Sequence, residues 1–372
     1  MLIGVPREIK NHEYRVGLTP GSIGEIVHHG HQVVVETEAG AGIGMHDADY
    51  RAAGADIAET VAEIFDRANL IVKVKEPQPE EYGRLRRDQV LFTFLHLAPD
   101  PPQTRALIES GVTAIAYETV TDSHGALPLL APMSEVAGRL SIQAGAHCLE
   151  MAQGGEGVLL GGVPGVAPAK VLILGGGVVG DNAALMAMGL GAEVSIFDTS
   201  IERLRHLSDK YQGRVKCVVS TQDRIQQCLT EVDLVIGAVL IPGAAAPKLL
   251  TRSMLGQMKP GAVIVDVAID QGGCFETSRP TTHHEPTFVV DGVVHYCVAN
   301  MPGGVPRTST FALNNVTLPY VIALADKGVD RAFADDPGLT KGLNVHRGRV
   351  TCSAVAEALG YDFVAPATAL AA

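Results

Sequence analysis

The stretch Val171-Leu-Ile-Leu-Gly-Gly-Gly-Val-Val-Gly180 sets Gly175, Gly177 and Gly180 in the spacing G-x-G-x-x-G, between an apolar run and the helical pattern that begins at Asn182. Residues of this kind bind a pyrophosphate. The first glycine permits a tight turn, the second lets backbone approach the anion, the third lets helix pack on strand, and the helix N-terminus presents N–H groups. Asp198 ends the next apolar run, Glu193-Val-Ser-Ile-Phe-Asp. An acid there accepts hydrogen bonds from ribose hydroxyls and repels a 2′-phosphate, so the pattern predicts NAD as cofactor rather than NADP. Arg203, one turn further on, is the contrary signal, because an arginine near this position accommodates that phosphate. The acid weighs more, since it sits at the strand end itself. Asp181, directly after the third glycine, suits a helix dipole but would compete with a bound pyrophosphate; it is expected to point away.

Four more residues carry chemistry. Lys75 closes Leu70-Ile-Val-Lys-Val-Lys, His96 closes Leu91-Phe-Thr-Phe-Leu-His, Asp270 follows the apolar run 262–268, and Arg15 lies in Tyr14-Arg-Val-Gly-Leu-Thr-Pro20. Ligands of open α/β sheets bind beyond the carboxyl ends of strands, so Lys75, His96 and Asp270 are expected at an inter-domain cleft. Taken singly, each has a plain structural reading: a solvated strand-end lysine, a capped core histidine, a turn-forming aspartate before Gly272-Gly273. Taken together they match what a redox enzyme needs for a small polar substrate. It needs a cation for the substrate carboxylate, a group titrating near neutrality, and a second acid or base for water or amine. Arg15 can add a forked contact to the same carboxylate.

The elements that must position these residues follow from periodicity. Strand patterns occur at 2–5, 32–36, 70–75, 90–96 and 113–118, then at 171–174, 194–197, 215–219, 233–238, 262–268, 287–290 and 294–298; helical patterns occur at 21–29, 57–67, 102–110, 135–151 and 309–327. Proline-rich crossings at 127–134 and 301–306 divide them. The fold class expected is α/β, with two doubly wound domains and a cleft between them. Residues 1–128 and 307–372 would form a Rossmann-like substrate domain, and 129–306 a Rossmann NAD-binding domain. The last long helix would return to the first domain.

Composition excludes other classes. A chain of 372 residues with 47% hydrophobic and 19% charged residues is long enough for two cores. A net charge of −12 with no basic run argues against nucleic acid or an anionic membrane as partner. The first residues lack a signal-peptide pattern and no apolar stretch reaches the length of a membrane span, so a cytoplasmic protein is expected. Six dispersed cysteines without C-x-x-C spacing indicate neither a disulfide framework nor a zinc site. G-x-S-x-G is absent, and Asp181-Asn182 stands where a P-loop needs Lys-Ser or Lys-Thr.

Longer motifs carry a family resemblance. Arg15-Val-Gly-Leu-Thr-Pro, Val72-Lys-Val-Lys-Glu-Pro77, Leu91-Phe-Thr-Phe-Leu-His-Leu-Ala98, Leu129-Leu-Ala-Pro-Met-Ser-Glu-Val-Ala-Gly-Arg139, Asp266-Val-Ala-Ile-Asp-Gln-Gly-Gly-Cys-Phe-Glu276 and Tyr296-Cys-Val-Ala-Asn-Met-Pro302 resemble the alanine dehydrogenase family over nearly the whole chain. The resemblance implies that Lys75 and Arg15 hold the substrate carboxylate, while His96 and Asp270 are the catalytic acid/base residues. It implies cofactor contacts at Ser134, Val178, Val179, Asp198, Arg203, Ser220, Val239, Leu240 and Arg279. Val267, Ala268, Ile269 and Asp270 belong with them, as do Val298, Ala299, Asn300 and Met301. Some members carry a metal contact at the positions of Glu202 and Lys327, but a protonated lysine cannot be a ligand, so no metal is expected. The implied reaction is reversible, NAD-dependent oxidation of L-alanine to pyruvate and ammonia by a homohexamer, with the helix at 135–151 as a subunit contact. Two rivals have other consequences. An NAD-binding subunit of a proton-pumping transhydrogenase would need no carboxylate clamp, and a dehydrogenase of a larger amino acid would need a wider pocket.

Overall fold

Short apolar runs become strands, beginning with β1 (Leu2–Val5), β2 (Gln32–Glu36), β3 (Asp56–Ala58), β4 (Leu70–Val72), β5 (Val90–Thr93) and β6 (Thr113–Ala116) in a computed structural model that describes residues 1–239 and 246–371. A second set follows: β7 (Lys170–Leu174), β8 (Glu193–Asp198), β9 (Lys216–Val219), β10 (Leu234–Gly237), β11 (Val263–Asp266), β12 (Thr287–Val290) and β13 (Val293–Tyr296). The chain ends with β14 (Leu343–His346) and β15 (Arg349–Val350). The first sheet has the order β15-β14-β6-β5-β4-β1-β2-β3, and the second β12-β13-β11-β10-β7-β8-β9. Strands β1 to β6 pair in parallel, with β14 antiparallel to β6 and β15 antiparallel to β14. The second sheet is parallel apart from β12. Both are doubly wound. The strand order reverses beside β1 in one sheet and beside β7 in the other, and in such sheets ligand sites form at the carboxyl ends next to the reversal.

The chain divides into two compact units, Met1–Met133 with Gly303–Ala372, and Ser134–Pro302. Ile64, Phe65, Ile71, Leu91, Leu107 and Val345 are among the buried residues of the first core. Val171, Ile173, Ala183, Ala187, Ile236 and Val265 are among those of the second. The helix Pro306–Lys327 belongs to the first unit and fixes a loop there. Its Asn314 accepts hydrogen bonds at Oδ1 from Thr19 N (2.8 Å) and Ser22 Oγ (2.9 Å), and its Nδ2 donates to Gly17 O (3.1 Å). The loop that bears Arg15 is thus tied down by a residue far away in sequence.

Three local differences from the periodicity are informative. The runs at 70–75, 90–96, 113–118 and 262–268 leave their ladders early, at Val72, Thr93, Ala116 and Asp266. In three of these places a side-chain carboxylate takes the N–H groups that a further ladder would have used, as detailed below. The helical pattern at 57–67 splits: residues 56–58 form β3, and Thr60 caps the helix Val61–Arg67 through Glu63 N. A three-residue strand is too short to show alternation. The strands β14 and β15 had no expectation at all, and the helix of the fingerprint begins at Val178, a turn before Asn182. Among the described residues no helix is long and apolar enough to cross a membrane.

Candidate active site

The three glycines of the fingerprint do three separable things. Gly175 has φ 103°, a backbone that favours glycine, and a Cβ there would lie 2.6 Å from Ala238 O. At Gly180 a Cβ would lie 1.8 Å from Gly175 O, so helix and turn touch through backbone. At Gly177, the residue that caps the helix Val178–Gly189, no heavy atom of the described residues beyond its chain neighbours lies within 4 Å of where a Cβ would be. Among the described residues that side of the turn is open, beside the N-terminus of the helix, where an anion is favoured.

Asp198 and Arg203 clamp the peptide between these glycines. Asp198 Oδ2 accepts from Gly176 N (2.7 Å) and Oδ1 from Ser200 N (2.8 Å), while Arg203 Nε donates to Gly176 O. The guanidinium of Arg203 also pairs with Asp181 (3.0 Å). Asp181 turns toward the helix Ile201–Tyr211, where Lys210 Nζ (2.7 Å) and Tyr211 Oη (2.5 Å) donate to its Oδ1. Burial opposes its charge, yet these donors together with Lys210 and Arg203 outweigh it and lower its pKa.

The other residues with an expected cofactor role are placed as follows. Ser134 is half-buried in the helix Ala131–Cys148, and Val178 is exposed at the start of its own helix. Val179 and Val239 are half-buried. Ser220 N donates to Asp198 O (2.9 Å), and Arg279 lies over the Phe288 ring at 4.3 Å. Ala299 N donates to Thr281 O (3.1 Å), and Asn300 has φ 62°. Ile269, Val298 and Met301 are buried and offer a ligand little side-chain surface. Leu240 lies outside the described residues.

Asp270 sits exposed on the short turn Val267–Gln271, and Asp266 builds that turn. Asp266 is buried. Its carboxylate accepts from Ala268 N (3.1 Å), Cys274 N (2.9 Å) and Ser278 Oγ (2.5 Å). Burial raises its pKa, and the Ser278 and Cys274 bonds only partly restore it. A Cβ on Gly273 would come 2.6 Å from Asp266 Oδ2, so the Gly272-Gly273 pair lets the loop fold back onto the acid. The sequence reading passed over Asp266; its signal is an acid closing an apolar strand just before an Asp and two glycines.

In the first unit, each expected residue is set by a carboxylate. Arg15, 2% exposed, donates from Nε (2.7 Å) and Nη2 (2.5 Å) to Glu13, which also accepts Arg15 N (3.0 Å), and Nη1 approaches Met133 Sδ (3.1 Å). The plane of the guanidinium is therefore fixed. Buried Glu8 accepts Val74 N (2.6 Å) and Lys75 N (3.2 Å), taking the place of the ladder beyond Val72. Fully buried Lys73 lies 2.9 Å from Glu81 and 3.2 Å from Glu8. Burial opposes the charge of Lys73, but the two glutamates outweigh it and raise its pKa; burial raises that of Glu8, against the pull of Lys73.

His96 has φ 49°, which for a residue other than glycine costs about 1–2 kcal/mol. Glu118 offsets it. Its carboxylate accepts His96 N (2.7 Å) and Leu95 N (3.2 Å), and bonds to a charged group contribute about 1.5–3 kcal/mol each. Glu118 Oε1 also lies 3.8 Å from His96 Nδ1, and the His96 ring stacks parallel to Phe94 with centroids 5.8 Å apart. Glu8, Glu13 and Glu118 were not singled out from sequence, where an acid near a strand end looks like any solvated acid.

Residues 4–137 match the family described as Alanine dehydrogenase/PNT, N-terminal domain, and residues 141–353 match Alanine dehydrogenase/PNT, C-terminal domain. The chain is 64% identical over 368 residues to an alanine dehydrogenase of Halomonas elongata, covering 99% of each. It is similar to a solved L-alanine dehydrogenase at 54% identity and TM-score 0.94, covering 97% of this chain and 99% of that one. A transhydrogenase structure from Sinorhizobium meliloti, 24% identical, matches with TM-score 0.81 over 95% of this chain and 100% of that one, a likeness of fold alone.

The two open questions about the cradle separate by mutation. Gly180→Ala should destabilise the fold by roughly 2–3 kcal/mol through overpacking, read as a lower denaturant midpoint. Gly177→Ala should keep stability but raise the Kd for a reduced nicotinamide dinucleotide about tenfold, or ~1.4 kcal/mol. Equal effects of the two on stability would refute the division. Asp181→Asn should destabilise at pH 7 by about 1–2 kcal/mol. Because the folded pKa of Asp181 is lowered, its stabilisation is complete above its unfolded value, near about 4, and fades as pH falls through the folded one. Stability curves of the two proteins should therefore converge in acid; a gap of constant size down to the acid limit contradicts this.

Proposed function

Because the chain belongs to the alanine dehydrogenase/PNT family, we propose that it interconverts L-alanine with pyruvate and ammonia, with NAD as its nicotinamide cofactor. The observation that carries the reading furthest is the Arg15 guanidinium, held flat by Glu13 through Nε and Nη2, so that its Nη1 side is the one with which a substrate carboxylate would be met. The cradle suits such a cofactor: a face at Gly177 open among the described residues, a helix N-terminus with no side-chain cap among them, and an acid at the end of β8. Asp198 and the fingerprint turn would hold it, together with the positions named for it in the sequence. When bound, the nicotinamide would supply the hydride acceptor for oxidation at the α-carbon of alanine and, reduced, the hydride donor for the reverse direction.

The chain's own residues do the rest. Lys75 and Arg15 bind the substrate carboxylate and orient the α-carbon. In the deaminating direction water adds to iminopyruvate and the carbinolamine releases ammonia; His96 takes the proton from water at a ring nitrogen and returns it to the departing amine. Asp270 positions water or amine through its carboxylate, or the two residues exchange these roles. Cytoplasmic location and a homohexamer belong to the same reading, as does the assignment of the first unit to substrate and the second to cofactor. The test is a coupled assay with pyruvate, ammonium and NADH, with NADPH as the control; no oxidation of NADH would refute the proposal.

Two variants sharpen it. Asp198→Ala should lose about 1.5–3 kcal/mol in kcat/KM for NAD, the worth of a charged hydrogen bond, and gain for NADP relative to NAD. A wild type that prefers NADP, or a variant with no relative gain, contradicts the assignment. Lys75→Ala and Arg15→Ala should each raise KM for pyruvate, with a combined loss that differs from the sum because both meet one anion. NADH affinity should hold, and unchanged pyruvate kinetics would exclude the clamp.

A further inference from the structure

We infer that Lys248 is a positioning residue for Asp270: its ammonium gathers the carbonyls of Gly272, Gly273 and Phe275 and so fixes the course of the loop that carries Asp270. The inference rests on the reading of Asp270 as a group that handles water, amine or a proton.

The loop after β11 leaves the sheet with both halves of its peptides in need of partners. Asp266 serves the N–H groups, accepting from Ala268 N and Cys274 N. The carbonyls are served from a different segment. The turn Val267–Gln271 closes on Gly272 at φ 86°, and Gly273 follows at φ 74°, so the chain goes on through a left-handed turn. Gly272 N and Gly273 N bond back to Ile269 O (2.9 Å) and Ala268 O (3.1 Å), but no backbone N–H among the described residues takes the carbonyls of the two glycines. Lys248 Nζ donates to them instead, at 2.6 Å for Gly272 O and 2.8 Å for Gly273 O, and reaches Phe275 O at 3.2 Å. An ammonium has three N–H donors, and here each meets a carbonyl. The backbone beside Lys248 takes the remaining two: Ala246 N donates to Gln271 O (3.1 Å), and Leu249 N to Cys274 O (2.7 Å). Every carbonyl from Gln271 to Phe275 is therefore held by residues 246–249. A cation also suits the carbonyl end of a turn. Cys274 and Phe275 are buried and anchor the far side of the loop. Asp270 is exposed, so its place depends on the backbone that carries it more than on walls around it.

The experiment uses the full chain and follows turnover with pyruvate and ammonium at saturating NADH. Lys248→Met keeps the stem and removes the ammonium. It should lower kcat about 10–100-fold, the effect of misplacing a reacting group by roughly an ångström, while KM for pyruvate changes by less than about twofold. Lys248→Arg, which keeps a cation with several N–H donors, should recover most of that loss. Lys248→Gln is too short to reach all of these carbonyls and should resemble the methionine variant; it also serves if Lys248→Met does not fold. In an Asp270→Asn background, Lys248→Met or Lys248→Gln should change the residual rate by less than about twofold, because the lysine acts through the aspartate. Full activity of both the methionine and glutamine variants, or equal losses with and without Asp270, would overturn the inference. A wild type that does not reduce pyruvate refutes the functional reading instead. The crystal structure of the Lys248→Met or Lys248→Gln variant then decides the positioning claim, which fails if residues 270–275 keep their course.

Discussion

Acid side chains replacing ladder partners at the carboxyl ends of strands are the interaction on which this molecule depends. A parallel strand that ends leaves backbone N–H groups without partners, and a buried N–H left so costs as much as a lost hydrogen bond. Here Glu8 serves the residues after β4, Glu118 those after β5, Asp198 the turns after β7 and β8, and Asp266 the loop after β11. Each lets the chain leave the sheet sharply. The side chains that follow the departure, Lys75, His96 and Asp270, are the ones proposed to carry the chemistry.

The device is stable only where charges are balanced. Lys73 is fully buried and is kept charged by Glu8 and Glu81, and Asp181 is kept ionised by Lys210, Tyr211 and Arg203. Removing one partner of a buried pair leaves an uncompensated charge, which is far more damaging than never having had the pair. The polar framework behind the catalytic candidates is thus less tolerant of change than the apolar cores, where a substitution of similar volume repacks.

Each unit contributes a different competence. The first holds cations and a histidine in directions fixed by carboxylates; the second holds an open glycine turn whose peptide is clamped by Asp198 and Arg203. The glycines show how finely backbone contact divides the labour. Gly180 is needed for contact within the protein, Gly175 for the conformation of the turn, and Gly177 for the space outside it.

Much of this was legible in the sequence. The fingerprint glycines, the acid at Asp198, the apolar runs of both sheets and the motifs around Arg15, Lys75, His96 and Asp270 all stand within short windows, where local spacing and hydrophobic pattern carry the information. The family followed from the same windows. The ends of the strands did not, since hydrophobicity continues through Val74, Leu95 and Ala268 while the hydrogen bonds have already changed partner. That change depends on Glu8, Glu118 and Asp266 arriving from other turns of the fold. The strands β3 and β15 are likewise made by neighbours, being too brief to show a period of their own, and β14 is placed by its antiparallel pairing with β6. Sequence by itself determined which residue types were available and on which strands. Only the tertiary structure decided where each strand lets go and which way its last side chain faces, because a backbone N–H bonds to whatever acceptor the fold brings within reach.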